Sequence, residues 1–399
     1  MPLRVLHLTT SFPQSPRDFF GLFVWQLAQT LEKEGVCCRI LTPSSIQSSS
    51  WPEVSIVRRF KYAPRSWQQL ANQPGGIPQS LNKNPFLYVL VPNLLVSMAI
   101  HLLLEAGSCD LIHAHWSVCG AVAAFMKPFH RKPIVTTLRG TDISWANMSW
   151  YYKWLHKKSI AGSNFTVGVS DKIAKQIKEE QPELSNRIAF IPNGVNDSFY
   201  TIPSFSRPSS PPLKFLFVGS LIPMKGADIL LKALGTLDSA YRWQLTIAGD
   251  GPESKRLIDL SEKYSLSKKI AFLGVVPPDK MPSLMADHHI LVHTSYSEGR
   301  PNVVLEAMAA GLAVVGTDIH GTRELVQNDR NGWIVPPGDP DILAEVLKSL
   351  IQGKKNYMAA GNTGQKWMIE QRLTWKETAR RYCEFYGKAV IKKKLDRRR

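Results

Sequence analysis

The chain has 399 residues, with 49 Lys and Arg against 32 Asp and Glu for a formal net charge of +17, 44% apolar residues and 10% aromatic residues. At roughly 100 to 200 residues per domain, this length excludes a single small module and points to two domains, and the apolar content excludes wholesale disorder. The positive balance biases the surface toward anionic partners.

Residues 4–10 form a short β-prone run that ends in a polar loop over 11–18, after which Phe23, Leu27 and Leu31 recur at helical spacing until Gly35. A strand resumes at 37–41, completing a βαβ element of the kind that builds a parallel, doubly wound sheet. Residues 86–104 contain no charge and nearly suffice to span a bilayer, but Pro92, Asn93 and His101 favour a buried or interfacial helix. Further strands are predicted at 111–115, 134–138, 166–169 and 188–191, with helical stretches between them. Residues 197–212 hold four Pro and five Ser without apolar periodicity and read as a linker.

The same syntax restarts at 214–219, followed by a loop with Lys225 and Gly226, a helix from about Asp228 and a strand at 243–248. Strands are predicted at 270–273, 290–293 and 312–316, and helices at 342–351 and 374–386. In the last of these, Trp375, Tyr382 and Tyr386 share one stripe that would pack on a domain surface. The expected architecture is α/β: a domain over 1–196, a linker over 197–212, a domain over 213–370 and a terminal segment over 371–399. Two facing doubly wound sheets would put the C-terminal ends of their strands on one crevice.

The excess charge is uneven: +8 over 1–200, −1 over 201–350 and +10 over 351–399. The five cysteines are Cys37, Cys38, Cys109, Cys119 and Cys383; none makes a Cys-x-x-Cys pair, which fits a reduced cytosol. The apolar run at 5–8 is too short for a signal peptide, so a cytoplasmic, non-exported protein is expected.

The densest chemistry lies in 297–318, SEGRPNVVLEAMAAGLAVVGTD. A turn at 298–301 should lead into a helix over 302–310 that Gly311 closes. The unpaired first-turn amides and the helix dipole suit that end to an anion such as a diphosphate. Glu298 and Glu306 could line one wall and accept hydrogen bonds from sugar or ribose hydroxyls. The plainer alternative is a dipole-favoured N-terminal carboxylate and a solvated helix residue. Lys225, in the loop after the first strand of that half, is placed for phosphate contact, and the turn Gly249, Asp250, Gly251 offers another backbone approach.

With these residues in place the chain resembles, over nearly its whole length, the retaining glycosyltransferases of family 4, which have the GT-B fold of two facing Rossmann-like domains. The resemblance rests on SEGRPNVVLEAMAAG, VGSLIPMKG at 218–226, AGDGPE at 248–253, NGWIVPPGD at 331–339, FIPNGV at 190–195, DLIHAHW at 110–116, and SFP with the Gly21 loop, all in family order. It implies a metal-independent hexosyltransferase that uses a nucleotide-sugar donor, retains anomeric configuration and needs no cofactor. Glu306 would hold the donor ribose and Glu298 the transferred sugar. Lys225 would stabilise the departing diphosphate, with donor contacts from Ser220, Gly299, Arg300, Pro301, Asn302, Val303 and Val304. Gly21 would let the N-terminal loop approach the same phosphates.

The chain departs from the family pattern at two places. Members usually carry Arg after the glycine that precedes the Lys loop, whereas Ser220 follows Gly219, leaving Lys225 alone or with Arg300 to meet the phosphates. Where His is frequent, this chain has LRGTD, so Arg139 could contact the donor or an anionic acceptor, or simply pair with Asp142. His115 and Asp142 are acceptor-side candidates. His113 and His115 share a strand, and one could simply be core. Asp339, Pro340 and Asp341 imitate a metal-binding Asp-x-Asp, but their position at a helix start suits capping better, and no metal site is expected.

Family members return their last helix to the N-terminal domain, which would set the +10 tail, with Lys392–Lys394 and Arg397–Arg399, beside the +8 half. Together with the apolar 86–104 stretch and Arg58, Arg59, Lys61 and Arg65, this suggests contact with an anionic inner leaflet and a glycan or lipid-linked acceptor, in cell-envelope polysaccharide or glycolipid synthesis. A nucleic-acid binder lacks a supporting recognition motif, and a glycoside hydrolase would place its carboxylates on both sides of the scissile bond. A non-catalytic sugar-nucleotide-binding protein on the same fold is the alternative.

Overall fold

The computed structural model describes residues 2–14, 20–46, 56–73, 76–140, 142, 150–202 and 211–396. The chain divides into two units, Met1–Gly194 with Trp375–Arg399, and Val195–Thr374. The first unit carries 30 Lys and Arg against 14 Asp and Glu, and the second 19 against 18, so nearly all of the net charge belongs to the first.

In the first unit, β1 (Arg4–Leu8), β2 (Cys37–Pro43), β3 (Ile56–Phe60), β4 (Leu111–His115), β5 (Ile134–Leu138), β6 (Phe165–Gly168) and β7 (Ile188–Phe190) form one parallel sheet in the order β3-β2-β1-β4-β5-β6-β7. Strands covered on both faces need continuous apolar runs, and β4 and β5 are buried at every position. Strand order reverses between β1 and β4, so the loops beyond their C-terminal ends form the unit's switch point.

The second unit repeats this winding. Here β8 (Leu213–Val218), β9 (Trp243–Ala248), β10 (Ile270–Gly274), β11 (Ile290–His293), β12 (Ala313–Thr317) and β13 (Gly332–Val335) lie in the order β10-β9-β8-β11-β12-β13, with the reversal between β8 and β11.

The final helix, Trp375–Asp396, belongs to the first unit, where Trp375, Tyr382, Tyr386 and Ala389 share a core with Val24, Leu27 and Leu31 of the helix Leu22–Lys33. Residues Arg397 to Arg399 of the basic tail lie outside the described residues.

Three local readings change. Strands β3 and β13 are not among the predicted strands; both are sheet edges, and β3 carries Arg58 and Arg59 while β13 is a four-residue strand that opens on Gly332. The stretch 197–212 opens with the helix Asp197–Tyr200, and Phe199 and Ile202 are buried with Met368 and Leu373 in the second unit's core. Of that stretch, 203–210 lie outside the described residues. In the apolar 86–104 segment, Pro85–Val89 is a 3-10 turn, and the helix Leu90–Ala106 buries Leu90, Leu94, Met98 and Leu102, one stripe at four-residue spacing.

Candidate active site

In the second unit the chain leaves β8 through Gly219 and Ser220 and turns through the short helix Pro223–Lys225. Across the switch point it leaves β11 through Thr294 and Ser295 toward Glu298. The Thr294 hydroxyl donates to the Lys225 carbonyl at 3.0 Å and the Tyr296 amide to the Met224 carbonyl at 2.9 Å, locking the two loops together. The Lys225 ammonium donates to Glu298 Oε1, which also accepts from the Ser295 hydroxyl at 3.3 Å. Burial works against a charge on Glu298, but Lys225, the nearby His293 and these hydrogen bonds outweigh it and hold the carboxyl below its ordinary value.

The helix Asn302–Ala309 follows Pro301 with no side-chain cap. Among its first-turn amides, those of Val304 and Leu305 turn back to the Pro301 carbonyl at 3.2 and 3.3 Å. Glu306, one turn further in, is partly buried, and its carboxylate has no hydrogen-bond partner among the described residues. Burial lifts that carboxyl to about 7. A half-sheltered acceptor with nothing donating to it is suited to ligand hydroxyls.

Arg300 is placed differently from the expectation that its side chain reaches toward phosphate. Its guanidinium is buried against Glu324 at 3.4 Å, so the turn at Gly299 and Arg300 offers backbone rather than a free cation. The AGDG turn lies directly on the loop after β8. A Cβ at Gly249 would overlap the Gly219 carbonyl, and the Leu221 amide donates to the Asp250 carbonyl at 2.9 Å. The Asp250 carboxylate is occupied within its own turn, accepting from the Gly251 amide and the Ser254 hydroxyl at 2.7 Å each. The Asp339 carboxylate caps the helix Pro340–Ile351, accepting from the amides of Asp341 and Ile342.

In the first unit, Gly21 has φ +76°, and a Cβ there would overlap the carbonyl of Ser11. The SFP segment and the start of the helix Leu22–Lys33 therefore meet backbone to backbone, and Gly21 is required by Ser11 before any ligand is considered. Arg139, at the end of β5, stacks on Phe23 with 3.6 Å from guanidinium carbon to ring centroid and donates to Asn193 Oδ1 at 3.2 Å. Burial draws its guanidinium down to about 10 despite Tyr382 and Asp142. The simple Arg139–Asp142 side-chain pair is not formed. Asp142 accepts instead from the amides of Arg139 and Ser117 at 2.8 and 2.7 Å and from the Tyr152 hydroxyl at 3.1 Å. Arg139 thus has no carboxylate partner among the described residues.

His115 is fully buried, which removes it from direct contact with an acceptor. The register pairs His7 with His113 across β1 and β4, and His7, His113 and His115 form one buried group. His7 Nδ1 lies 3.1 Å from His115 Nε2, and His113 is bonded at both ring nitrogens, to Thr137 and Tyr386. Burial lowers all three imidazoles, His7 to about 3, so they are neutral. With both nitrogens of His113 already bonded and the Arg139 guanidinium lowering His113 and His115 further, the group fits internal hydrogen bonding better than a cation site.

Sequence reasoning missed His7, Asn193, Phe23, Ser295 and Glu324. His7 was visible only by pairing the LHL of β1 with the HAH of β4, and Asn193 only through the PNG turn that brings it to Arg139.

Residues 21–199 match the family model described as Glycosyltransferase Family 4, and residues 201–367 match Glycosyl transferases group 1. An uncharacterized glycosyltransferase of Methanocaldococcus jannaschii is 30% identical over 277 residues, 69% of this chain and 74% of that protein. A phosphatidyl-myo-inositol mannosyltransferase of Mycobacterium leprae is 28% identical over 348 residues, 85% of this chain and 86% of that protein. Among solved structures, the Anabaena HepE protein in complex with UDP-glucose superposes with a TM-score of 0.74 at 19% identity, over 97% of this chain and all of that one. This likeness establishes the GT-B fold.

Proposed function

The chain belongs to glycosyltransferase family 4, and from that premise we propose that it moves a hexose, with retention, from a nucleoside diphosphate sugar to a glycan or lipid-linked acceptor in cell-envelope polysaccharide or glycolipid synthesis. The observation that carries the reading is the Lys225–Glu298 pair at the switch point of the second sheet, beside the uncapped start of the helix Asn302–Ala309. The relatives support the acceptor class, one acting by its name on a phosphatidylinositol, and HepE was captured with UDP-glucose, which supports the donor class.

In this reading the ribose hydroxyls donate to Glu306, whose carboxylate has no partner among the described residues, and the sugar hydroxyls donate to Glu298. The donor diphosphate draws Lys225 away from Glu298. As the bond from the anomeric carbon to the diphosphate oxygen breaks, the ammonium and the amides of the 299–303 turn meet the charge that grows on the leaving group, typically the largest catalytic contribution. The acceptor oxygen bonds to the same carbon on the same face, and its proton leaves with the nucleoside diphosphate. No metal is assigned a role, because the cation and amides supply the neutralisation that a metal would. Arg139, at the first unit's switch point, is proposed to contact the donor or an anionic group of the acceptor. Asp142 positions Arg139 through its backbone amide.

A second reading, a sugar-nucleotide-binding protein without turnover, is favoured by Ser220, which puts a neutral hydroxyl where a phosphate cation is usual. One experiment separates the two. Nucleotide sugars are screened by thermal shift, since a bound ligand raises apparent stability. The best ligand is then followed by NMR with and without glycan and lipid acceptors. Acceptor-dependent release of the nucleoside diphosphate with an unchanged anomeric configuration supports the transferase. Binding without breakdown supports the sensor, and inversion removes the retaining assignment.

A further inference from the structure

Between residues 76 and 162 the sequence has eight Lys and Arg and three carboxylates. All three carboxylates are engaged: Glu105 with Arg58 at 2.6 Å and Arg39 at 3.4 Å, Asp110 with Arg4 at 2.8 Å, and Asp142 in its buried amide cradle. The helices of this stretch therefore show no free negative charge. The helix Leu90–Ala106 packs beside Ser117–His130, which packs beside Trp150–Gly162, so the three form one layer. Between the last two, a Cβ at Gly162 would overlap Ala124, which brings their outer faces close together.

That outer face is apolar where a soluble surface would be polar. Phe86 is 89% exposed, Phe129 70% and Trp150 83%, and Val89, Val96, Ile100, Leu104, Phe125, Tyr151 and Trp154 are also exposed. Four of the aromatics form one cluster: Phe125 and Trp154 rings lie 5.4 Å apart, Tyr151 and Trp154 6.2 Å, Trp150 and Tyr151 6.1 Å. On the same helix Trp150, Tyr151 and Trp154 are followed by exposed Lys157 and Lys158 at turn spacing, with Lys153 also exposed. By length and composition Pro85–Ala106 could cross a membrane, but its core stripe of Leu90, Leu94, Met98 and Leu102 ties it to the sheet, leaving the opposite side uncovered.

Of the basic residues that precede the apolar 86–104 stretch, Arg58 is tied to Glu105 and Arg59 to Gln14 and the Pro13 carbonyl. The lysines beside the aromatic cluster lie in a stretch the sequence reading did not include.

We propose that the outer face of this three-helix layer docks on an anionic lipid bilayer, with Trp150, Tyr151, Trp154, Phe125 and Phe129 seated at headgroup depth and Lys153, Lys157 and Lys158 against the lipid phosphates. Amphipathic aromatic rings with adjoining lysines are the composition that settles at a bilayer interface. Charge selects this occupant over a second copy of the chain. The unit is strongly positive and this layer offers no free carboxylate, so a symmetric pairing would set like charges together. The proposal does not depend on sugar transfer.

The test is flotation of the full chain with vesicles of phosphatidylcholine alone and with 30% phosphatidylglycerol. The wild type is expected to float with the anionic vesicles and to be released by 0.5 M salt. Lys153→Gln/Lys157→Gln/Lys158→Gln should bind roughly a hundredfold more weakly, at about a factor of five per lysine, and Trp150→Ala/Trp154→Ala should lose flotation at low salt. Donor-induced thermal shifts that match the wild type certify that both variants are folded. Equal binding to neutral vesicles, undiminished binding by either variant, or a stable dimer that ignores both vesicle types overturns the proposal.

Discussion

The ammonium of Lys225 donates to Glu298 Oε1, joining the loop after β8 to the loop after β11 across the point where strand order reverses. The side chains come from positions 73 residues apart, and each charge supports the other in a partly sheltered place. A donor diphosphate would compete with Glu298 for the same ammonium, so the pair keeps the lysine in position and must yield to the ligand. Either partner alone is left with the wrong neighbour. Glu298→Gln and Lys225→Ala are each expected to lower kcat by about two to three orders of magnitude, and the double variant to lose little more than the worse single one, because the residues act as a unit. Turnover measured across the four proteins of this cycle, with circular dichroism to show retained folding, checks the prediction. Additive losses would mean that the two act independently.

Glu306 sets a pH dependence for donor binding. Its carboxyl is raised to about 7 by burial, and ligand hydroxyls bond best to the ionised form. Donor affinity should therefore rise about tenfold from pH 6 to pH 8, with a proton released on binding, and this slope should vanish in Glu306→Gln along with most of the affinity. The stability effect of the free protein has the opposite sign. Since the folded pKa lies above the unfolded value, the carboxyl supports folding below its unfolded pKa, and that support is lost as pH rises through about 7. Glu306→Gln should thus melt higher than the wild type at pH 8 and no higher at pH 4. Calorimetric titration and melting at the two pH extremes read both signs.

Much of this was legible in the sequence because the elements that frame the site obey simple patterns. Strands β4, β5, β9 and β11 are short β-prone runs bounded by turns, and their predicted limits coincide with the observed ones. Glu298, Glu306 and Lys225 were readable because turn, helix and loop follow one another within short segments. What could not be read depends on contacts between distant segments. Nothing local to RPN says that Arg300 turns toward Glu324, and nothing local to LRGTD says that Asp142 takes the Arg139 amide while the guanidinium goes to Phe23 and Asn193. The buried fate of His115 follows from its neighbour His7, which only strand pairing supplies.

Arg139 makes a sharp test of guanidinium against ammonium. Its planar group stacks on Phe23 while one terminal nitrogen is spent on Asn193, a geometry that a lysine cannot reproduce. Arg139→Lys and Arg139→Gln are both expected to lower kcat/KM by an order of magnitude or more, with lysine recovering little. Separate KM values for donor and acceptor identify which substrate the guanidinium holds: a rise confined to the acceptor assigns it to an anionic acceptor group. Full activity in the lysine variant would show that only the charge matters.

Tyr386 ties the final helix to the sheet by a polar contact inside an apolar core. Its hydroxyl and His113 Nδ1 lie 2.7 Å apart with both residues fully buried, and Tyr382 makes the parallel contact with Thr137 Oγ1 at 2.8 Å. Removing the hydroxyl leaves the His113 nitrogen unpaired where water does not reach, a loss of about 1 to 3 kcal/mol, so Tyr386→Phe should lower the melting midpoint by several degrees. Donor affinity should change little, because Lys225, Glu298 and Glu306 belong to the other unit. His113→Leu in the Tyr386→Phe background removes the stranded group and should recover part of the loss, as replacing both partners of a buried bond costs less than orphaning one. Melting curves of the two variants decide it: if the double variant is less stable than the single one, the bond from His113 Nε2 to Thr137 Oγ1, which the leucine also removes, outweighs the stranded nitrogen.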